Sequence, residues 1–283
     1  MIHIQAYERD RNAAGTCAQQ VHDGGARRCS GARRYRAGVL VLLPPSETKR
    51  GGGDGPPLRL DVLAHPELNP LRAQLLDELV KLAAEPEAAR AALGLSAQQH
   101  AEVARNAELW TSPTVPALRR YTGVLYDALD VGSLRGAAAV RARRRLVVGS
   151  ALFGLLTADD PVPAYRLSAG SALPGRGTLA AAWRPVLEPL LAAVAARELV
   201  VDLRSGSYAA LARVPGAVTV TVRTAEGAIV SHFNKAHKGR LARVLVSSRA
   251  EPTDAAGVAA VARRAGLHVD RRGQALTVVL PPV

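Results

Sequence analysis

The chain has 283 residues, 48% hydrophobic and only 4% aromatic, so it can bury a sizeable core but must build it mainly from Leu, Val and Ala. Lys and Arg number 37 against 24 Asp and Glu, a net charge of +13 that suits nucleic acid or another polyanion and equally fits arginines scattered over a solvated surface. No run of about 18 apolar residues argues for a membrane span, and both cysteines, Cys17 and Cys29, precede the body of the chain, which fits a reducing, cytoplasmic setting.

Residues 1–38 show neither helical nor alternating periodicity and are rich in Arg, Gly and Ala. They lack the apolar stretch of a secretory signal. They read as a disordered basic extension, or as an artefact of the gene start with Val39 or Val41 as the true first residue, ahead of one domain over 39–283. GVLVLLPP (38–45) predicts a buried strand stopped by two prolines, and SETKRGGGDGPP predicts a loop. Asn69 and Pro70 predict the cap and first turn of a helix over 70–84. Pro86 opens a second that ends near Gly94, and Ser96 caps a third reaching Trp110. Ser112 and Pro113 start a fourth, PTVPALRRYTGVLYDALD, interrupted at Pro116 and Gly123, and Ser133 caps a fifth through Arg144.

Residues 145–156 begin as a buried strand and pass into a glycine-bearing turn. A helix over 178–197, a strand at 199–203 and a short helix at 205–213 follow. AVTVTVRTAEGAIVSHF alternates on both sides of Glu226-Gly227 and predicts a β-hairpin. Helices over 238–249 and 254–265 and a closing hairpin, LHVD-RRGQ-ALTVVL, complete the chain. Strands at both ends of a helical middle predict an α/β (mixed α+β) domain on a mixed sheet.

The stretch SHFNKAHKGR (231–240) gathers His232, Lys235, His237, Lys238 and Arg240 at the predicted junction of strand and helix. Cations at a helix start oppose the macrodipole, each by roughly 0.3–1 kcal/mol. A bound phosphate reverses those terms, because unpaired backbone N–H groups and side chains then converge on one anion. The stretch therefore reads as a phosphate-binding turn, against the alternative of a solvated basic loop.

Ser46, Glu47, Thr48 and Lys49 stand beyond the carboxyl end of the first strand, where open sheets bind ligands. Lys49 precedes the glycine run and no Gly-Lys-Ser/Thr occurs, so a nucleoside triphosphate loop is not supported. Asp159, Asp160, Tyr165 and Arg166 share one loop, with an internal Arg–Asp pair as the plainer alternative to a site. Asp202, Arg204, Ser205 and Tyr208 end another strand. No His/carboxylate cluster has metal-ligand spacing and no dinucleotide fingerprint occurs, so neither metal nor cofactor is expected.

Together these segments resemble the YaaA family of peroxide stress proteins over residues 39–283. LLPPSETK is similar to the family's opening strand and Ser-Pro-x-x-Thr loop through Ser46, Thr48 and Lys49. YTGVLYDAL resembles its Gly-x-x-Tyr-x-x-Leu segment through Gly123, Tyr126 and Leu129. GSALFGLLTADDPVPAYRLSAG is similar to the central signature through Ser150, Gly154, Asp160, Tyr165, Arg166 and Gly170, and Trp183 matches a family tryptophan. DLRSGSY matches through Leu203, Ser205 and Tyr208, and SHFNKAHKGRLAR through Ser231, Lys235, Lys238 and Gly239. Departures fall at Thr157-Ala158, where the family has Arg-Pro, and at Ser168 and Ser207, where it has Glu. Losing acids while keeping basic and aromatic positions fits binding better than acid–base chemistry.

The resemblance implies a compact, cantaloupe-like α/β fold with a positively charged cleft. It also implies a helix-hairpin-helix element, best placed over 118–129, where Gly123 lies beside Arg119 and Arg120. It further implies a cytoplasmic protein that binds double-stranded or structured DNA and limits oxidative damage linked to free iron, with no membrane and no obligate protein partner. Phosphate contacts are then expected from Ser46, Thr48, Lys49, Arg119, Arg120, Gly123, Arg166, Ser205, Lys235, His237, Lys238 and Arg240. The alternative is an enzyme on a nucleotide or nucleic-acid substrate, with a glycosidic-bond or lesion-processing activity. Its catalytic candidates are Lys49, Asp160, Tyr165, Arg166 and Lys235. A closed pocket around these groups would favour the enzyme, and an open groove the binding protein.

Overall fold

Five consecutive apolar residues, Val39–Leu43, form a strand (β1) buried along its whole length, the pattern of a central strand covered on both faces. The computed structural model describes residues 38–224, 228 and 231–280, with the side chains of 231–233 left out. The expected basic extension therefore lies outside the described residues. In chain order the other strands are β2 (Gly55–Pro57), β3 (Pro113–Pro116), β4 (Leu146–Ser150), β5 (Gly154–Thr157) and β6 (Pro161–Val162). They are followed by β7 (Leu199–Asp202), β8 (Val218–Arg223), β9 (Val269–Arg272) and β10 (Ala275–Val279).

Seven of them make one mixed sheet in the order β5-β4-β1-β7-β8-β10-β9. The five inner strands run parallel, and β5 and β9 close the two edges antiparallel. β2, β3 and β6 form a small second sheet. The chain moves from β1 to β4 on one side and returns to β7 on the other. The crevice beyond the carboxyl ends of β1 and β7 is thus the topological switch point, the usual ligand position in such sheets.

Local chemistry explains most element boundaries. Gly94 ends helix Pro86–Leu93 in the left-handed region at φ +63°, and the Thr178 and Asp254 side chains cap helices Leu179–Arg197 and Ala255–Arg264. Helix Leu179–Arg197 is long and apolar enough in composition to cross a bilayer. Here Leu179, Trp183, Leu187, Leu191 and Ala195 make one buried stripe against the core instead. Trp183 donates to the Ala151 carbonyl at 2.8 Å and leaves no room at Gly154, where a Cβ would lie 2.6 Å from its ring. With φ at +70° as well, Gly154 is required twice over.

Three expectations are corrected. PTVP is β3 rather than the start of a helix, because Pro113 and Pro116 sit at the ends of a short strand where their missing N–H is tolerated. Asn69 is the first residue of helix Asn69–Ala83 rather than its cap, and its side chain accepts from Arg72 and donates to the Leu60 carbonyl. The hairpin over 217–233 does not form as read. β8 pairs in parallel with β7 and β10, and the chain is already helical at Ser231, in helix Ser231–Ser247. Residues 225–227, including Glu226-Gly227, lie outside the described residues.

Part of the positive charge is internal. The Arg72, Arg120 and Arg145 guanidiniums are almost wholly inaccessible. Arg72 donates to the carbonyls of Ala64, Phe153 and Leu155, and Arg120 to those of Arg50, Gly52, Pro113 and Val162. Arg145 bonds Leu245, Ser248, Ala250 and Glu251, and Arg204 pairs with Asp202 while reaching Tyr208 and Ala212. Each guanidinium carries up to five donors, which here meet carbonyls of loops, short or edge strands and a helix end.

Candidate functional site

The loop after β1 folds back on the segment after helix Ala117–Arg120. Ser46 Oγ accepts from the Thr122 N–H at 3.1 Å, Lys49 bridges to Tyr121, and the Arg50 N–H meets the Arg120 carbonyl at 2.9 Å. Tyr126, on helix Val124–Leu129, pins the loop from below by donating to the Pro44 carbonyl at 2.8 Å. These bonds drive the Lys49 side chain inward. Its Nζ donates to the Ser46 carbonyl at 3.0 Å and lies 4.2 Å from the centre of the Tyr165 ring and 5.7 Å from that of Tyr121. Burial pushes the amine down to about 7, opposed by Glu47 and assisted by Arg166. At neutral pH roughly half of it is an uncharged amine.

Tyr165 sits at the middle of a hydroxyl chain. Ser150 Oγ, just at the carboxyl end of β4, accepts from the N–H groups of Leu152 and Phe153 at 3.2 and 3.0 Å. With both lone pairs engaged, its proton goes to Tyr165 Oη at 2.7 Å, and the Tyr165 and Tyr121 hydroxyls share a further hydrogen bond at 2.9 Å. Tyr126 stacks on Tyr121, and Phe153 meets Tyr165 edge-on. Burial raises the phenols of Tyr121, Tyr126, Tyr165 and Tyr208 above their ordinary range, so all four are neutral hydrogen-bonding groups.

Arg166 closes the site. Its Nη1 pairs with Glu47 Oε2 at 2.7 Å, and its Nε is buried with no partner. Asn106, itself buried, holds the Arg166 backbone by exchanging bonds of 2.7 and 2.8 Å with its N–H and carbonyl. The Glu47 carboxylate is half exposed, so the pair opens towards solvent.

Of the residues singled out from sequence, Ser46, Thr48, Lys49, Tyr165 and Arg166 meet here. Gly123 lies one residue beyond Thr122, at φ +93° with open space around it. Asp160 does not join them. Its two oxygens accept from the backbone N–H groups of Ala64 and Thr157 at 2.9 and 2.8 Å, a structural clamp in place of a catalytic acid. Arg120 is wholly engaged by carbonyls and cannot reach an outside phosphate, while Arg119 beside it is exposed.

The basic stretch 231–240 is also rearranged. Because the helix begins at Ser231, residues 235–240 are helical interior, and their N–H groups do not form an anion nest. Lys235 and Arg240 are exposed. Lys238 is buried, its Nζ donating to the carbonyls of Leu203 and Arg204 at 3.1 and 3.2 Å beyond β7. His237 is partly buried, with Nδ1 unpartnered, and burial followed by Arg240 lowers its basicity. Ser205 is exposed, and its hydroxyl bonds that of Ser207 at 3.3 Å. His232 lies outside the described side chains. Tyr121 and Asn106 carry no signal of their own in the sequence, since each acts only through a partner far along the chain. Among the described residues no group of three or more His, Cys, Asp and Glu gathers to hold a metal.

The architecture defines an α/β protein with a parallel sheet core and a buried lysine–tyrosine site at its switch point. The family model of peroxide stress protein YaaA matches residues 39–272, so the chain belongs to that family. It is similar to UPF0246 proteins of Corynebacterium efficiens (46% identical, covering 86% of this chain and all of the relative) and Corynebacterium glutamicum (45%, covering 82% and 95%). It is also similar to one of Streptomyces coelicolor (45%, covering 84% and 94%).

Proposed function

We propose that this chain is a DNA-binding protein of the peroxide stress response, acting in the cytoplasm and limiting oxidative damage to DNA. The observation that carries the reading is a set of exposed cations: Arg50 and Arg119 on the segments that build the site, and Lys235 and Arg240 on helix Ser231–Ser247, which packs against helix Val124–Leu129. Arg50 and Arg119 flank the paired backbone at Lys49 and Tyr121, and Lys235 precedes by one turn the Lys238 that seals the end of β7. None of the four makes a side-chain ion pair among the described residues, so each is available to a phosphate. Gly123, with free space around it, allows the 118–129 segment to approach a backbone as a helix-hairpin-helix element would.

The test is retention of a duplex oligonucleotide over a salt series. Four phosphate contacts predict log affinity falling with log salt at a slope of roughly −3 to −4. A flat response overturns the reading.

The second reading, an enzyme on a nucleic-acid or nucleotide substrate, is favoured by one observation: a buried, half-neutral lysine on aromatic faces at a switch point.

A further inference from the structure

The chain holds four lysines, and among the described residues Lys49 is seated on aromatic rings. We propose that Lys49 is a nucleophile whose ε-amine condenses with an aldehyde carbonyl to form an imine. This deepens the second reading of the same site by naming its substrate class.

Three features support it. Among the described residues no carboxylate lies within ion-pair distance of Nζ, whose hydrogen-bond partners are the backbone carbonyls of Ser46 and Glu47. Burial without an ionic partner lowers the basicity of a lysine and so permits Schiff-base chemistry. The Tyr165 face lies under the nitrogen and accommodates the cationic iminium that the reaction forms, by cation–π attraction. Arg166 stands beside the amine, bound to a half-exposed Glu47 carboxylate that an incoming anion can replace, so the substrate is an aldehyde carrying a phosphate.

The step balances without a further reactant. The nitrogen lone pair adds to the carbonyl carbon, the carbonyl oxygen takes up the two protons lost from the amine and leaves as water, and the imine nitrogen takes one proton from solvent to become the iminium. The C=N bond replaces the C=O bond, with no change of redox state. Two sources offer this chemistry: a free short phosphorylated aldehyde, or the open-chain aldehyde of an abasic deoxyribose flanked by phosphates in DNA.

The full chain is incubated at pH 7 with sodium cyanoborohydride and either glyceraldehyde 3-phosphate or a duplex containing one abasic site, and the modified lysine is located by peptide mass. Lys81 and Lys235, both exposed, serve as internal references. Labelling of Lys49 is expected to exceed theirs at least about tenfold, since an exposed lysine is almost entirely protonated at this pH. Its excess over them should shrink as pH rises from 7 to 10. Enrichment with the phosphorylated aldehyde alone assigns a small-molecule source, and enrichment with the abasic duplex a DNA source. Either supports the proposal. Lys49 labelled no faster than Lys81 and Lys235 by both probes overturns it. The small-aldehyde arm contains no DNA, so its result stands apart from that of the salt series.

Discussion

Two buried lysines sit beyond neighbouring strand ends and do different things. Lys238 caps the end of β7, with two carbonyls in hydrogen-bond range and Asp202 near enough to favour its charge. Lys49, beyond β1, has one short carbonyl contact at 3.0 Å, a long one at 3.5 Å, and otherwise rests on phenol rings. Burial lowers the basicity of both. What separates them is what burial receives in return. Where polar acceptors fill the donors, the lysine is a fastener. Where aromatic faces replace acceptors, the amine is left half-neutral and chemically usable.

The largest expected effect tests the fastener. Lys238→Met leaves the Leu203 and Arg204 carbonyls buried without donors and should lower unfolding stability by about 2–4 kcal/mol in urea titrations. A loss below about 0.5 kcal/mol would remove the contrast.

Next comes the pH dependence of Lys49. Its folded-state basicity lies below that of an unfolded lysine, so the folded chain binds fewer protons between pH 7 and 10, and this group adds stability as pH rises across that window. Lys49→Met should therefore be the more stable protein at pH 6, by on the order of 2–3 kcal/mol, with the gap closing by about pH 10. Taking the difference between the two proteins cancels the parallel contribution of Lys238. A gap that stays constant over this range would mean that Lys49 titrates normally.

Tyr165→Phe breaks the hydroxyl chain between Ser150 and Tyr121 while keeping the ring under Lys49. Thermal unfolding should report a loss of about 1 kcal/mol. Aldehyde trapping at Lys49 should persist, because the aromatic face is retained. The smallest change is at the rim. Arg240→Ala is expected to alter stability by no more than about 0.5 kcal/mol, yet to make the duplex salt slope shallower by roughly one unit.

How much was legible in advance varied with the range of the forces involved. β1 declared itself through an uninterrupted apolar run, helix Pro86–Leu93 through Pro86 and Gly94, and the β9–β10 hairpin through alternation about its turn. The switch-point loop was visible as Ser46–Lys49 following a buried strand. The basic stretch 231–240 was misread because alternation across Val218–Arg223 was carried past its end. A cluster of cations looks the same on a loop and on the flank of a helix packed against Val124–Leu129. Gly239 records that packing: a Cβ there would lie 2.2 Å from the Leu125 carbonyl oxygen, a closeness that no one-dimensional pattern announces.

Composition and short-range chemistry were enough for the class of fold and most of its elements, because caps, turns and apolar runs act between residues a few positions apart, while the family was legible only as a resemblance carried by motifs in a shared order. Whether a given cation faces water, plugs a carbonyl or rests on a ring was decided by tertiary structure. Arg119 and Arg120 are neighbours in the chain, yet one is exposed and the other wholly enclosed. The cost of burying a charge depends on which partners other segments bring to it, and those partners can lie more than a hundred residues away.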